Sequence, residues 1–249
     1  EEYSDDILKA LNDSNLFSDV RVKFIENKYI IVVKEYANID NLYFSNNERL
    51  KDEDLELIAS QINLKNFNTV SIDLFINETK KFYQSYGYNN VKIKYSKKEF
   101  KDSNTVDLYF DINEGEITKI NNIIVNGNKS ILNSEIKEII KSRTKSFRNI
   151  FANNNFKPNL IERDKYLIID YYKSKGFINI DVQTQIEYLK SNRVNVFFNI
   201  IEGDIYNLSS ININDSENIL NKDILKLIDN NKKVFLKNQN YFSLNNIQQ

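Results

Sequence analysis

The sequence predicts an α+β protein made of tandem β-α-α-β-β repeats, each a three-stranded mixed sheet with two helices on one face. Three observations lead there. The stretch Val106 to Gly115, Val-Asp-Leu-Tyr-Phe-Asp-Ile-Asn-Glu-Gly, recurs in closely similar form as Val194 to Gly203. In both, alternate residues are apolar: Val106, Leu108, Phe110 and Ile112 answer to Val194, Val196, Phe198 and Ile200, the pattern of a strand with one buried face. Both copies end in Glu-Gly, a stop that marks a module boundary. The resulting period of roughly 80 to 90 residues is longer than the roughly 20 to 50 of solenoids, so each unit is expected to own its core and to leave its second sheet face polar.

Asp5 to Asn12, with Ile7, Leu8 and Leu11 on one side, reads as an amphipathic helix. A hairpin follows: Val20, Val22 and Phe24 alternate, Glu26-Asn27 turn, and Tyr29 to Val33 return, closed by Glu35. The next unit starts with Leu42 and Phe44 on a short strand, turns at Asn46-Asn47, and opens a helix at Asp52 that carries Leu55, Ile58 and Ile62. A second helix is expected from about Val70 to Tyr86, with Ile72, Phe75, Ile76, Thr79, Phe82, Tyr83 and Tyr86 along one face and Gly87 at its end. Phe82, Tyr83 and Tyr86 read as core rather than as a ligand box. Val91, Ile93 and Tyr95 then form a strand that pairs, through a turn near Asp102 to Asn104, with Val106 to Ile112.

The third unit repeats these positions one by one. Ile123 and Val125 stand for Leu42 and Phe44, Gly127-Asn128 for Asn46-Asn47, Tyr172 and Gly176 for Tyr83 and Gly87, and Ile180 and Val182 for Val91 and Ile93. Asn133 stands for Asp52, and both are expected to cap a helix through the side-chain oxygen. The connection Arg143 to Lys157 is longer than its counterpart before Phe67, and Pro158 sits where the second helix should start. Ile211, Ile213, Ile224, Leu227 and Ile228 begin a fourth unit. Residues 1–35 therefore read as the back part of a first repeat, 36–115 as a second, 116–203 as a third and 204–249 as the front part of a fourth. Because Glu1 opens partway through a unit, the natural N-terminus is expected upstream.

Composition narrows the chemistry. The chain has no His, Cys, Met or Trp, and its 34 basic and 35 acidic residues nearly cancel. Ser-His-Asp and Cys-His nucleophile systems are impossible, as are zinc sites built on Cys or His. The charge balance gives no sign of nucleic-acid binding. No apolar run approaches the ~18 residues of a membrane span, so a soluble stretch is expected. Asp52, Glu53, Asp54 and Glu56 read as a solvated face at a helix start, favoured by the helix dipole. Lys145, Arg148 and Lys157, interleaved with Phe147, Phe151 and Phe156, read as a loop with tucked aromatics and solvated bases. No carboxylate pair stands out as a catalytic site, so no enzyme and no cofactor is expected.

The β-α-α-β-β order, the turn Gly127-Asn128, the helix end Tyr171-Tyr172-Lys173-Ser174-Lys175-Gly176-Phe177 and the closing Glu-Gly resemble the POTRA (polypeptide-transport-associated) repeats of the outer-membrane assembly and translocation superfamily. The chain departs from the family pattern at Ala37, where proline is frequent, and at Asn46 and Asp215, where glycine is usual; Asn and Asp tolerate the same backbone region. The resemblance implies a non-enzymatic scaffold at the periplasmic face of the bacterial outer membrane. It also implies partners: unfolded outer-membrane polypeptides, accessory assembly lipoproteins and periplasmic chaperones, with the membrane met only through a barrel domain. The alternatives are another translocation protein of the superfamily or a POTRA scaffold anchored by a single helix; tandem copies argue against the latter.

An edge strand offers unpaired backbone groups to any extended segment, and the resemblance implies that the third repeat's edge receives a partner strand. The candidate edge is Asn179 to Leu189, with Asn179, Ile180, Asp181, Val182, Gln183, Thr184 and Gln185 as its binding residues. It reads as longer than Val91 to Lys97. Proline at Val182 is expected to weaken partner binding and to leave the fold intact.

Overall fold

A computed structural model describes residues 3–14, 16–145 and 152–207, with Lys226 alone beyond them. The chain divides into two compact units between Thr118 and Lys119. The expected fourth-unit residues Ile211 to Ile228, and Phe147, Arg148 and Phe151 of the long connection, lie outside the described residues.

The first unit begins with helix α1 (Ser4–Asp13) and the antiparallel pair β1 (Phe17–Ile25) and β2 (Lys28–Glu35). Glu26 and Asn27 both take positive φ (49° and 61°), the two-residue turn whose twist matches that of its flanking strands. Ile30 to Val33 of β2 are all exposed. A full repeat follows: β3 (Asn38–Ser45), α2 (Asp52–Gln61), α3 (Thr69–Tyr86), β4 (Lys92–Phe100) and β5 (Thr105–Asn113). The strand order is β3-β5-β4, with β3 parallel and β4 antiparallel to β5. The repeated stretch is thus the central strand, flanked on both sides. Its Leu108, Phe110 and Ile112 are buried against Leu55, Ile58, Ile72, Phe75 and Tyr83 of the two helices. Each such side chain contributes about 1.5 to 3 kcal/mol of burial.

The second unit repeats the plan with β6 (Lys119–Asn126), α4 (Asn133–Ile139), α5 (Pro158–Ser174), β7 (Asp181–Leu189) and β8 (Arg193–Ile201), in the order β6-β8-β7. Val194, Val196, Phe198 and Ile200 of β8 pack on Ile136, Ile161, Ile168 and Tyr172. The long connection is tied to the core at both ends. The fully buried carboxylate of Asp164 accepts the N–H groups of Lys141 (2.6 Å) and Ser142 (2.9 Å). Phe156 is buried, in line with an aromatic tucked under the connection.

Several local expectations need correction. Asp52 and Asn133 do not cap their helices. Both are first helical residues, and their side chains accept from Asn47 Nδ2 (2.7 Å) and Asn128 Nδ2 (3.0 Å), holding the turn before the helix. The free backbone groups are met from inside instead: Asp54 accepts from Lys51 N–H and Glu135 from Leu132 N–H. On α3 only Tyr83 of the aromatic stripe is core. Phe82 and Tyr86 are exposed, because Phe82 falls at the margin of the face set by Ile72, Phe75, Thr79 and Tyr83 and Tyr86 is the last residue of the helix; the Arg49 guanidinium lies 3.8 Å from the Tyr86 ring centre. The open sheet face is not wholly polar either: Tyr43 of β3 and Tyr109 of β5 stack on it at 4.8 Å.

Candidate strand-accepting edges

Each three-stranded sheet has two edges, and the sequence treats them differently. The edge formed by β3 or β6 is blunted. A register shift interrupts β3 between Ile39 and Asn41 and β6 between Ile120 and Asn122. The connection between the helices also pairs with the start of each strand. Ile39 N–H donates to Lys65 O (2.7 Å) and Phe67 N–H to Ala37 O (2.8 Å); Ile120 N–H donates to Asn154 O (2.7 Å), whose side chain returns a bond to Ile120 O (3.0 Å). A bulged, partly covered edge takes up a further strand poorly.

The other edge, β4 or β7, is regular. β4 pairs with β5 from Lys92 to Phe100, and β7 with β8 from Asp181 to Leu189, both without a shift. Both strands have nine residues, so the expected greater length of the candidate edge over its counterpart is not found; the notional end at Lys97 missed Lys98 to Phe100, which continue the ladder. Asn179 and Ile180 precede β7, and the Asn179 amide donates to Tyr206 Oη at 2.9 Å. Asp181, Gln183 and Gln185 are exposed, Thr184 is half-buried and Val182 is fully buried in the core. Proline at Val182 would therefore remove core packing, so it is not a neutral probe of the edge.

The chemistry of the two open edges differs. β4 exposes Lys92, Lys94 and Lys98, a charge pattern that discourages pairing with like strands, whereas β7 exposes Asp181, Gln183, Gln185 and Glu187. Lys97 turns to the helix side, with its Nζ 2.5 Å from Glu99 and 4.2 Å from the Phe67 ring centre.

A tyrosine–glutamate clasp holds the central strand beside each open edge, and sequence reasoning missed it. Glu202, which follows β8, accepts from Ser130 N–H (2.8 Å), Ser130 Oγ (2.8 Å) and Tyr172 Oη (3.0 Å). Glu114, which follows β5, accepts from Arg49 N–H (2.7 Å) and Tyr83 Oη (2.9 Å). The clasp joins strand end, second helix and pre-helix turn. Burial pushes the Glu202 carboxyl up, but the bonds from Ser130 and Tyr172 outweigh it and hold the group below the ordinary carboxylate value. Burial first, and then the Glu partner, pushes both tyrosine hydroxyls well up. The signal for the clasp in the sequence is the recurrence of Glu before Gly together with Tyr83 and Tyr172, a Glu-Gly pair that alone reads only as a stop.

Among the described residues no group of three or more His, Cys, Asp or Glu side chains could hold a metal ion. No described helix is long and apolar enough to cross a membrane, which says nothing of a β-barrel.

Comparison with known proteins bears on the repeats directly. The family described as POTRA, surface antigen variable number repeat, matches residues 37–115 and 118–203. The chain is 25% identical over 234 residues to outer membrane protein assembly factor BamA of Buchnera aphidicola, a match that covers 92% of this chain and 38% of that protein. It is 26% identical over 224 residues to a putative outer membrane protein assembly factor of Treponema pallidum, covering 84% and 26%. The chain thus spans well under half of these relatives. Among solved structures, POTRA3-5 of Haemophilus influenzae BamA is similar, with 14% identity, a TM-score of 0.47 and 79% of each chain covered.

Proposed function

The chain belongs to the POTRA family, and from that premise we propose that it is the periplasmic POTRA region of a BamA-like outer-membrane β-barrel assembly protein, binding unfolded outer-membrane polypeptides and accessory lipoproteins by strand addition. On this reading residues 1–35 close a first repeat, 36–115 and 116–203 are the second and third, and 204–249 open a fourth. The region acts as a scaffold at the periplasmic face of the outer membrane, without enzymatic activity of its own. Periplasmic chaperones deliver the clients, and the membrane is met only through a barrel elsewhere in the protein. The observation that carries the reading is the β7 edge: an unshifted ladder with no strand among the described residues on its far side, exposing amides and only two carboxylates. Each backbone hydrogen bond added there is worth about 0.5 to 1.5 kcal/mol, so a short register gives weak, sequence-tolerant binding suited to many clients.

Proline tests it. Along an edge strand, N–H groups point alternately to the neighbouring strand and to solvent. Of the adjacent variants Gln183→Pro and Thr184→Pro, one therefore breaks the ladder to β8 and the other removes an outward donor and fills the edge. The variant that keeps wild-type circular dichroism is expected to lose at least about tenfold in affinity for an unfolded barrel segment, read by fluorescence anisotropy. Unchanged affinity in that folded variant would exclude this edge.

A further inference from the structure

The open edges β4 and β7 are complementary to each other, and we propose that β4 of one copy pairs with β7 of a second copy, making one continuous six-stranded sheet between molecules. The proposal rests on the reading that these edges accept strands, and adds the identity of one occupant. The two strands occupy equivalent places: Lys92 faces Asn113 near the end of β5 as Asp181 faces Ile201 at the end of β8. Placing equivalent edges side by side about a two-fold axis perpendicular to the sheet runs the strands antiparallel and keeps both helix layers on the same side.

Centred on Tyr95 opposite Thr184, that register sets Lys92 against Glu187, Lys94 against Gln185, Ser96 against Gln183 and Lys98 against Asp181. All eight are exposed. Both lysines of the outer pairs meet a carboxylate, and no like charges meet. Among the described residues neither Lys92, Lys94 and Lys98 nor Asp181 and Glu187 has an ion-pair partner of its own. Asp181 and Glu187 are held by neutral amides only, from Gln183 and Asn195. Like edges do the reverse. In the same register, two copies of β4 would oppose Lys92 to Lys98, and two copies of β7 would oppose Asp181 to Glu187, repulsions that select the mixed pair.

Sedimentation velocity of this chain over a concentration series at low salt tests the pairing. The wild type is expected to associate, and to do so less as salt rises. Lys92→Glu with Lys98→Glu makes both edges acidic, and Asp181→Lys with Glu187→Lys makes both basic. Each double variant alone is expected to associate at least about tenfold more weakly, and an equimolar mixture of the two to recover association. A wild type that stays monomeric would overturn the proposal while leaving client binding at β7 untouched. Association that survives both reversals, or a mixture that does not recover, would overturn it too and assign the contact to another surface, such as the exposed Ile30 to Val33.

Discussion

Gly127→Ala is expected to destabilise the third repeat by about 3 to 5 kcal/mol, enough to unfold much of it near room temperature. Gly127 sits in the turn after β6 at φ +83°, and a Cβ there would lie 2.0 Å from the carbonyl oxygen of Ile200 and 3.1 Å from its carbon. The obstacle is backbone of the central strand, which cannot step aside without breaking the ladder to β7. Asn46 holds the same place in the second repeat at φ 62°, so the positive φ alone does not demand glycine. Gly127→Asn should accordingly fail as well, which separates steric exclusion from backbone preference. Gly115→Ala is the control: its Cβ would come no nearer than 3.7 Å to Asn90 O, leaving only the strain of φ +66°, about 1 to 2 kcal/mol. Urea unfolding followed by circular dichroism gives all three values.

Glu202→Ala is expected to cost about 3 kcal/mol, because it strips the acceptor from Ser130 N–H, Ser130 Oγ and the hydroxyl of Tyr172, whose side chain is fully buried. Tyr172→Phe loses one bond and should cost about 1 kcal/mol. The clasp also sets an acid response. The Glu202 carboxyl titrates lower in the folded chain than the ordinary value of 4.5. Its contribution is therefore fully present above the unfolded pKa and is lost as pH falls below about 4.5 through the folded value. The urea midpoint should drop in that window, and Glu202→Gln should flatten the drop. An unchanged acid slope in the variant would mean that the clasp is not what titrates.

Where the sequence carried a period, the fold could be read from it. The alternation in Val106 to Ile112 and Val194 to Ile200 located both central strands, and the three- and four-residue steps of Ile72, Phe75, Thr79 and Tyr83 located the buried face of α3. What failed depended on partners distant in the chain. Asp52 looked like a cap because caps are acidic or amide residues before a helix, yet its bond goes to Asn47, and Asp54 serves Lys51. The far end of β4 is not legible because Lys98 and Glu99 carry no apolar alternation; their strand identity comes from pairing with Asp107 and Val106. For the same reason the choice between edges was only half legible. The polar positions of β7 could be seen in sequence, but the register shifts of β6 and its cover by Asn154 exist only in three dimensions.

Hydrogen exchange at single amides of β7 tests the central claim most directly, with and without an unfolded segment of an outer-membrane barrel protein. Strand addition predicts added protection at every second amide from Asp181 to Leu189, since only the outward N–H groups gain partners, and no change along β6. Protection of consecutive residues, protection confined to β6, or none in a sample shown to bind the segment would contradict it.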